Sequence, residues 1–254
     1  MKKILLTRDK LQETSENHHI ITLSHHLIIL LLFCFSALQA QTVHYISGNV
    51  HIGKSGFMHV RSGDTVNLAG NVTTVRNTSV SQRGMLSFGN TANWRSGNLS
   101  FVDGFVRTHN SGAFVFPVGH TQYRPARISA SSSGAPTDAA YYSPALYNIA
   151  ALGDYITEVT DECWIIQGTM PAVITLSWSS DLSSFVSDLS KLSIAGWDAV
   201  SNKWKLIESA VESTSSIFGT TSLLTGTGTI STTSAIVPNQ YAAYSLANSS
   251  DELI

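Results

Sequence analysis

The sequence predicts an all-β chain: an N-terminal β-solenoid-like or meander region over residues 41–111, then an antiparallel β-sandwich over residues 112–254. Three observations carry this prediction. Charged residues make up only 13% of the 254 residues, about half the share usual in a soluble domain, while Ser, Thr, Asn and Gly abound. Between Val43 and Arg107, apolar stretches of a few residues are divided by Gly, Asn and Ser at close intervals. After Gly112 the stretches lengthen and alternate apolar with polar side chains, the period of a strand burying one face.

Residues 1–40 stand apart. Lys2, Lys3, Arg8 and Lys10 precede an apolar run from Leu27 to Leu38, broken only by Cys34 and Ser36 and followed by Gln39-Ala40. A basic start, about a dozen apolar residues and a small residue at the end describe a secretory signal peptide, with cleavage expected after Ala40. The run is shorter than the about 20 residues of a membrane span. The stretch before it holds Glu13 and Glu16 and is long for a leader, which points to an extended leader or to a start codon placed too far upstream. Phe33 precedes Cys34 where lipid attachment needs a small residue. After cleavage Cys163 is the one cysteine left, so no internal disulfide is expected and the core alone holds the fold. A net charge of −2 supplies no field to gather nucleic acid or anionic lipid.

Strands are expected at Val43–Ile46, Val50–Ile52, Phe57–Val60, Thr65–Leu68, Val72–Val75, Met85–Phe88 and Leu99–Val102. Turn residues separate them, at Gly48-Asn49, Lys54-Ser55-Gly56, Ser62-Gly63-Asp64, Gly70-Asn71, Gly89-Asn90 and Ser96-Gly97-Asn98. The phrases Ser47-Gly48-Asn49-Val50, Ala69-Gly70-Asn71-Val72 and Ser96-Gly97-Asn98-Leu99 recur at solenoid-like spacing. A run of hairpins is the other solution to such short strands.

In the second region Phe114-Val115-Phe116 reads as a strand ended by Pro117-Val118-Gly119. Tyr123 to Ala130 alternates, with Ala126, Ile128 and Ala130 on one face. Val173 to Trp178 alternates as well, with Ile174, Leu176 and Trp178 on the apolar face and Thr175 and Ser177 on the polar one. Ser131 to Pro136 is a loop, and Leu192–Ala195, Trp204–Ile207 and Tyr241–Leu246 complete a second sheet. Asp181 to Leu189 has helical spacing but many serines, so a single helical turn or an irregular crossover is expected.

Several stretches together carry a resemblance: Phe101-Val102-Asp103-Gly104-Phe105-Val106-Arg107, Gly112 to Gly119 with Tyr123-Arg124-Pro125, Cys163-Trp164-Ile165-Ile166, Thr175 to Trp178, Gly196-Trp197-Asp198 and Tyr241 to Leu246. In this order they resemble large proteins of gliding-type bacteria exported by the type IX secretion system, many of which end in a gliding-motility-associated C-terminal sorting domain. The resemblance implies an adhesin-like protein on the outer surface of a Gram-negative-type bacterium, handled by that export machinery. The sequence departs from the pattern at Asp251-Glu252-Leu253-Ile254, where the sorting domain would begin.

Candidate chemistry is sparse. His44, His51 and His59 would bind a metal if stacked repeats aligned them, but no carboxylate or Cys accompanies them, and solvated or turn histidines account for them. Asp103, His109, Ser111 and His120 are a nominal Ser–His–Asp set without the Gly-x-Ser-x-Gly elbow. Asp161 and Glu162, adjacent on the chain, point to opposite faces of any strand and read as a solvated loop edge; Asp154, Glu158 and Asp181 offer no better pair. No catalytic, metal or cofactor residue is therefore assigned. Trp164 and Trp178 read as core, and Trp94, among Asn, Arg and Ser, as the surface tryptophan. Tyr123 and Arg124 read either as a ring and a guanidinium offered to a sugar or peptide, or as structural, with Pro117 setting a turn, Gly119 supplying positive φ and Arg124 satisfying carbonyls. Trp94, Tyr123 and Arg124 are thus the ligand-binding candidates.

The function expected is a non-enzymatic structural or adhesive module of a secreted cell-surface protein, with an extracellular glycan or surface protein as partner and no nucleic acid. The alternatives are a carbohydrate-binding module accessory to polysaccharide degradation and a solenoid polysaccharide lyase or hydrolase. The last requires clustered charges along one face, and charges are few between Val43 and Val106.

Overall fold

The computed structural model describes residues 41–96, 100–129 and 135–250. The expected signal peptide, Gly97-Asn98-Leu99 of the third repeated phrase, and Ala130 to Gly134 lie outside the described residues. Over the described residues the chain is all-β, with several sheets, none of them closed. Among the described residues no helix is long and apolar enough to cross a membrane.

The first nine strands are β1 (Val43–Ile46), β2 (Val50–Ile52), β3 (Phe57–Val60), β4 (Thr65–Leu68), β5 (Val72–Thr74), β6 (Met85–Phe88), β7 (Asn93–Arg95), β8 (Val102–Asp103) and β9 (Phe105–Thr108). Each of β1 to β6 pairs in parallel with the third strand after it, giving the ladders β1-β4-β7, β2-β5-β8 and β3-β6-β9. Val43 lies opposite Thr65 and Thr65 opposite Asn93; Val50 opposite Val72 and Val72 opposite Val102; Phe57 opposite Met85 and Met85 opposite Phe105.

Short polar connections make this register possible. The first two Gly-Asn phrases stand one above the other between successive strands. A Cβ on Gly70 would collide with the Gly48 carbonyl oxygen, so only glycine lets these backbones approach. Gly104, at φ +139, joins β8 to β9 in a conformation that L side chains rarely adopt. Ile46, Ile52, Val60, Val66, Leu68, Val72, Leu86, Phe88, Val102 and Val106 turn into one apolar cluster. Val102 is the residue that stands opposite Val72.

The later strands are β10 (Phe114–Phe116), β11 (Ala126–Ile128), β12 (Thr137–Tyr142), β13 (Ile156–Val159), β14 (Cys163–Gln167), β15 (Ile174–Trp178), β16 (Leu192–Asp198), β17 (Lys203–Ile207), β18 (Ser209–Val211), β19 (Gly228–Thr232) and β20 (Tyr244–Ser249). Five form an antiparallel sheet, β10-β11-β15-β19-β18. The others extend the third parallel ladder into a nine-stranded sheet, β17-β16-β20-β14-β12-β9-β6-β3, with β13 on β20. Strand β9 is the hinge of this mixed sheet: parallel to β6 on one side and antiparallel to β12 on the other. Hydrogen bonding therefore runs unbroken past residue 111, where the composition changes.

One face of the nine-stranded sheet sends Phe88, Val106, Tyr141, Trp164, Ile194 and Leu246 into the same cluster as Phe116, Ile128, Leu176, Trp178 and Ile230 of the five-stranded sheet. The opposite face holds a second cluster of Met85, Phe105, Tyr142, Cys163, Ile165, Trp197 and Trp204, covered by Tyr147, Ala151 and Leu152. This double burial explains why β12 and β14 lack alternation. The alternation of β15 is real but its polar face is not solvated: Thr175 and Ser177 are fully buried. Their hydroxyls are satisfied by Ser231 Oγ at 2.7 Å and by the Pro125 carbonyl at 2.6 Å. Residues 181–189 form an irregular crossover, in which Asp181 accepts the Ser183 N–H and Leu182 and Val186 are buried.

Candidate functional site

The Pro117-Val118-Gly119 block extends the second ladder, since Val118 bridges Val102 in parallel. Pro117 accepts the Val102 N–H at 2.7 Å, and Gly119 donates to the Val102 carbonyl at 3.2 Å. Gly119 is required by space, not by a positive φ: a Cβ there would press on the Phe101 ring and the Gln122 carbonyl.

Arg124 departs from the ligand-binding expectation. It is only 3% exposed. Its Nε lies 3.1 Å from Glu162 Oε2, its Nη2 donates to Ser180 Oγ at 3.0 Å, and its Nη1 donates to Ser179 Oγ. The Tyr141 hydroxyl donates to the same Glu162 oxygen, and Trp164 Nε1 donates to the Arg124 carbonyl at 2.9 Å. The guanidinium is thus consumed in a buried ion pair and serine contacts, not in carbonyls and not toward a ligand. Glu162 leaves the solvated loop edge expected for it, whereas Asp161 stays there and accepts the Ala145 N–H. Burial, followed by the neighbouring Glu162 charge, raises the Tyr141 hydroxyl well above the usual phenol range.

Trp94 and Tyr123 do come together. Trp94 is half-buried, its ring fixed by a 2.6 Å hydrogen bond from Nε1 to the Val115 carbonyl. Its centroid lies 6.4 Å from that of Tyr123, with the planes at 72°. Tyr123 lies equally far from Phe218, at 74°. Phe218, from the β18–β19 connection, was hidden in the sequence because Ser and Thr surround it without periodicity. The result is a strip of three half-buried rings, each well placed to offer apolar area with little entropy to lose. Beside Trp94 runs a cleft of about 360 Å³ lined by Asn93, Asn110 and Phe114. The side-chain oxygens of Asn93 and Asn110 accept the Trp94 and Gly112 N–H groups, which leaves their amide nitrogens to donate.

The nominal catalytic set assembles only in part. His120 Nδ1 lies 3.0 Å from Asp103 Oδ2, and Asp103 is also held by Arg76. Ser111 instead bonds to Asn90, and His109 lies near His59 on a different surface. Ser111 therefore does not join this Asp–His pair. His44, His51 and His59 sit one in each ladder, against Asp64, Thr73 and Ser87. Among the described residues no three His, Cys, Asp or Glu converge to hold a metal. Cys163 is buried, which pushes its thiol up to about 12. Trp164, Trp178 and Trp204 are wholly buried.

No protein-family model matches this chain, and it matches neither the curated proteins nor the solved structures.

Proposed function

We propose that this chain is a non-enzymatic structural or adhesive module of a secreted cell-surface protein, built as a short β-solenoid that runs into an antiparallel β-sandwich. The observation that supports this reading is the nine-stranded sheet, in which a solenoid-type ladder and a sandwich-type sheet share one hydrogen-bonded network through β9 and β12. Such a joint suits a module that holds other parts at a fixed spacing. The basic and apolar leader and the ordered resemblance to type IX cargo support a position on the outer surface of a Gram-negative-type bacterium, after passage through the export machinery. Fractionation of cells producing the full chain, with N-terminal sequencing of the product, tests this. A surface-exposed product beginning at Gln41 supports it, and a cytoplasmic product with Met1 intact refutes it.

The aromatic strip favours a second reading, a carbohydrate-binding module. Trp94, Tyr123 and Phe218 present ring area to the C–H faces of sugars, and the Asn93 and Asn110 amides stand ready for hydroxyls. Glycan-array binding abolished by Trp94→Ala and by Phe218→Ala supports this reading; an unchanged array profile removes it.

A further inference from the structure

Away from the aromatic strip, the outer face of the β3-β6-β9 ladder carries two side-chain rows in register. One is apolar: Phe57, Met85 and Phe105. The next is polar: His59, Ser87 and Arg107, continued by Asp138 of β12 and Gln167 of β14. Neighbouring strands are about 4.8 Å apart, so this polar row crosses five strands without a gap. His59 Nδ1 lies 3.3 Å from Ser87 Oγ. Arg107 grips Asp138 with Nε at 2.6 Å and Nη2 at 2.8 Å.

The β5–β6 connection folds Arg83 over this row. Its guanidinium stacks 3.9 Å from the Phe105 ring centroid and reaches Asp138 at 3.2 Å, Gln167 at 2.8 Å and the Thr78 carbonyl. A cleft of about 330 Å³ remains, lined by Phe57, His59, Arg83, Ser87, Arg107 and His109.

The charge in this cleft is unbalanced. Two guanidiniums share the single carboxylate of Asp138, which both of them already bind. Arg83 is 1% exposed, and its Nε is a buried donor without a partner among the described residues. Buried polar groups in native proteins almost always have partners, so such a donor asks for an explanation. Two imidazoles and the buried Ser87 hydroxyl also line the cleft, while Phe57 is 74% exposed. The site therefore combines excess positive charge, several convergent donors and an apolar wall.

We propose that this cleft is a binding site for an oxyanion, a carboxylate or sulfate, carried by an acidic sugar whose ring lies against Phe57. Arg107, Arg83 and the two imidazoles supply the donors, and Ser87 orients His59. The site is independent of Trp94 and stands whether or not the aromatic strip binds glycan.

The test is NMR titration of the full chain, following the backbone amide signals of β3, β6 and β9 and, where they are present, the His59 and His109 imidazole signals. The probes are inorganic sulfate, a trigalacturonate and a neutral galactose trimer. Saturable shifts with sulfate and with trigalacturonate, absent with the neutral trimer, are expected. Replacing His59 and His109 together by Ala leaves the Asp138 network intact and should weaken both anions about tenfold or more, the equivalent of one lost charge-assisted hydrogen bond. Phe57→Ala should weaken trigalacturonate alone, which separates a sugar-borne anion from a free one. Trp94→Ala should change neither. No saturable shift with either anion, an equal response to the neutral trimer, or unchanged affinity in the double variant overturns the proposal.

Discussion

Replacing Arg124 by Met tests the assignment of the most distinctive sequence block to the interior. The substitution keeps most of the side-chain volume and removes the charge. Glu162, itself a buried residue, then loses the Arg124 Nε donor while remaining tied to Tyr141, and Ser179 and Ser180 lose their guanidinium contacts. Removing one partner of a buried pair leaves an uncompensated charge and costs about 3–5 kcal/mol. In a domain of this size each kcal/mol lowers Tm by about 2–4 °C, so a fall on the order of 10 °C is expected. Thermal melts followed by circular dichroism measure it. Tyr141→Phe removes one hydrogen bond to the carboxylate and should cost about 1.5–3 kcal/mol. The double variant should lose less than the sum, because both partners act on the same carboxylate. An Arg124→Met melt within about 2 °C of the parent would mean that the guanidinium stands in water, and the reasoning would fail.

Gly70→Ala should destabilise by about 1–3 kcal/mol, as an added methyl does in a packed interior, because its Cβ meets the Gly48 backbone; Gly48→Ala, with nothing near its Cβ, should stay within about 0.5 kcal/mol, and urea melts distinguish them. In a Cys34→Ser background Cys163 should resist thiol reagents and react only as the protein unfolds, since burial holds its thiol protonated; rapid native labelling would contradict this. The Lys205 hydrogen bond, then those from Ser201 and the Val200 N–H, hold Asp198 below the usual carboxylate range. The unfolded chain therefore takes up this proton first on acidification. The contribution is complete above the unfolded pKa of about 3.9 and is lost as pH falls below it. Tm measured between pH 5 and pH 2 should show a shallower acid decline in Asp198→Asn.

The extent to which sequence revealed the structure varies with how much water each strand sees. Strands β1 to β4 and β6 end where the sequence reading placed them, because short Gly, Asn, Asp or Ser turns bracket each one. Strand β7 was missed: Trp94 is its sole apolar residue, and pairing with Thr65 to Asn67 makes it a strand. Strand β12 was missed because it opens on Thr137 and Asp138 and then runs apolar without alternation; two arginines from distant positions neutralise the Asp138 carboxylate, and no local pattern announces them. Strand β19 was missed because Gly228 and Thr229 lack an apolar signature, yet the Glu212 carboxylate accepts the hydroxyls of Thr229 and Ser231 and holds the strand in place. At the candidate site, Trp94 and Tyr123 were legible as aromatics in polar company. The burial of Arg124 was not, since it depends on Glu162 lying 38 residues away along the chain.

The shared sheet also has a mechanical consequence. Strand β9 is bonded to β6 on one edge and to β12 on the other, so no slack linker separates the parallel ladder from the antiparallel strands beyond. A pull on one end is passed directly from backbone to backbone. The molecule should behave as a stiff strut that ruptures when whole ladders shear, instead of a chain that pays out length at low force.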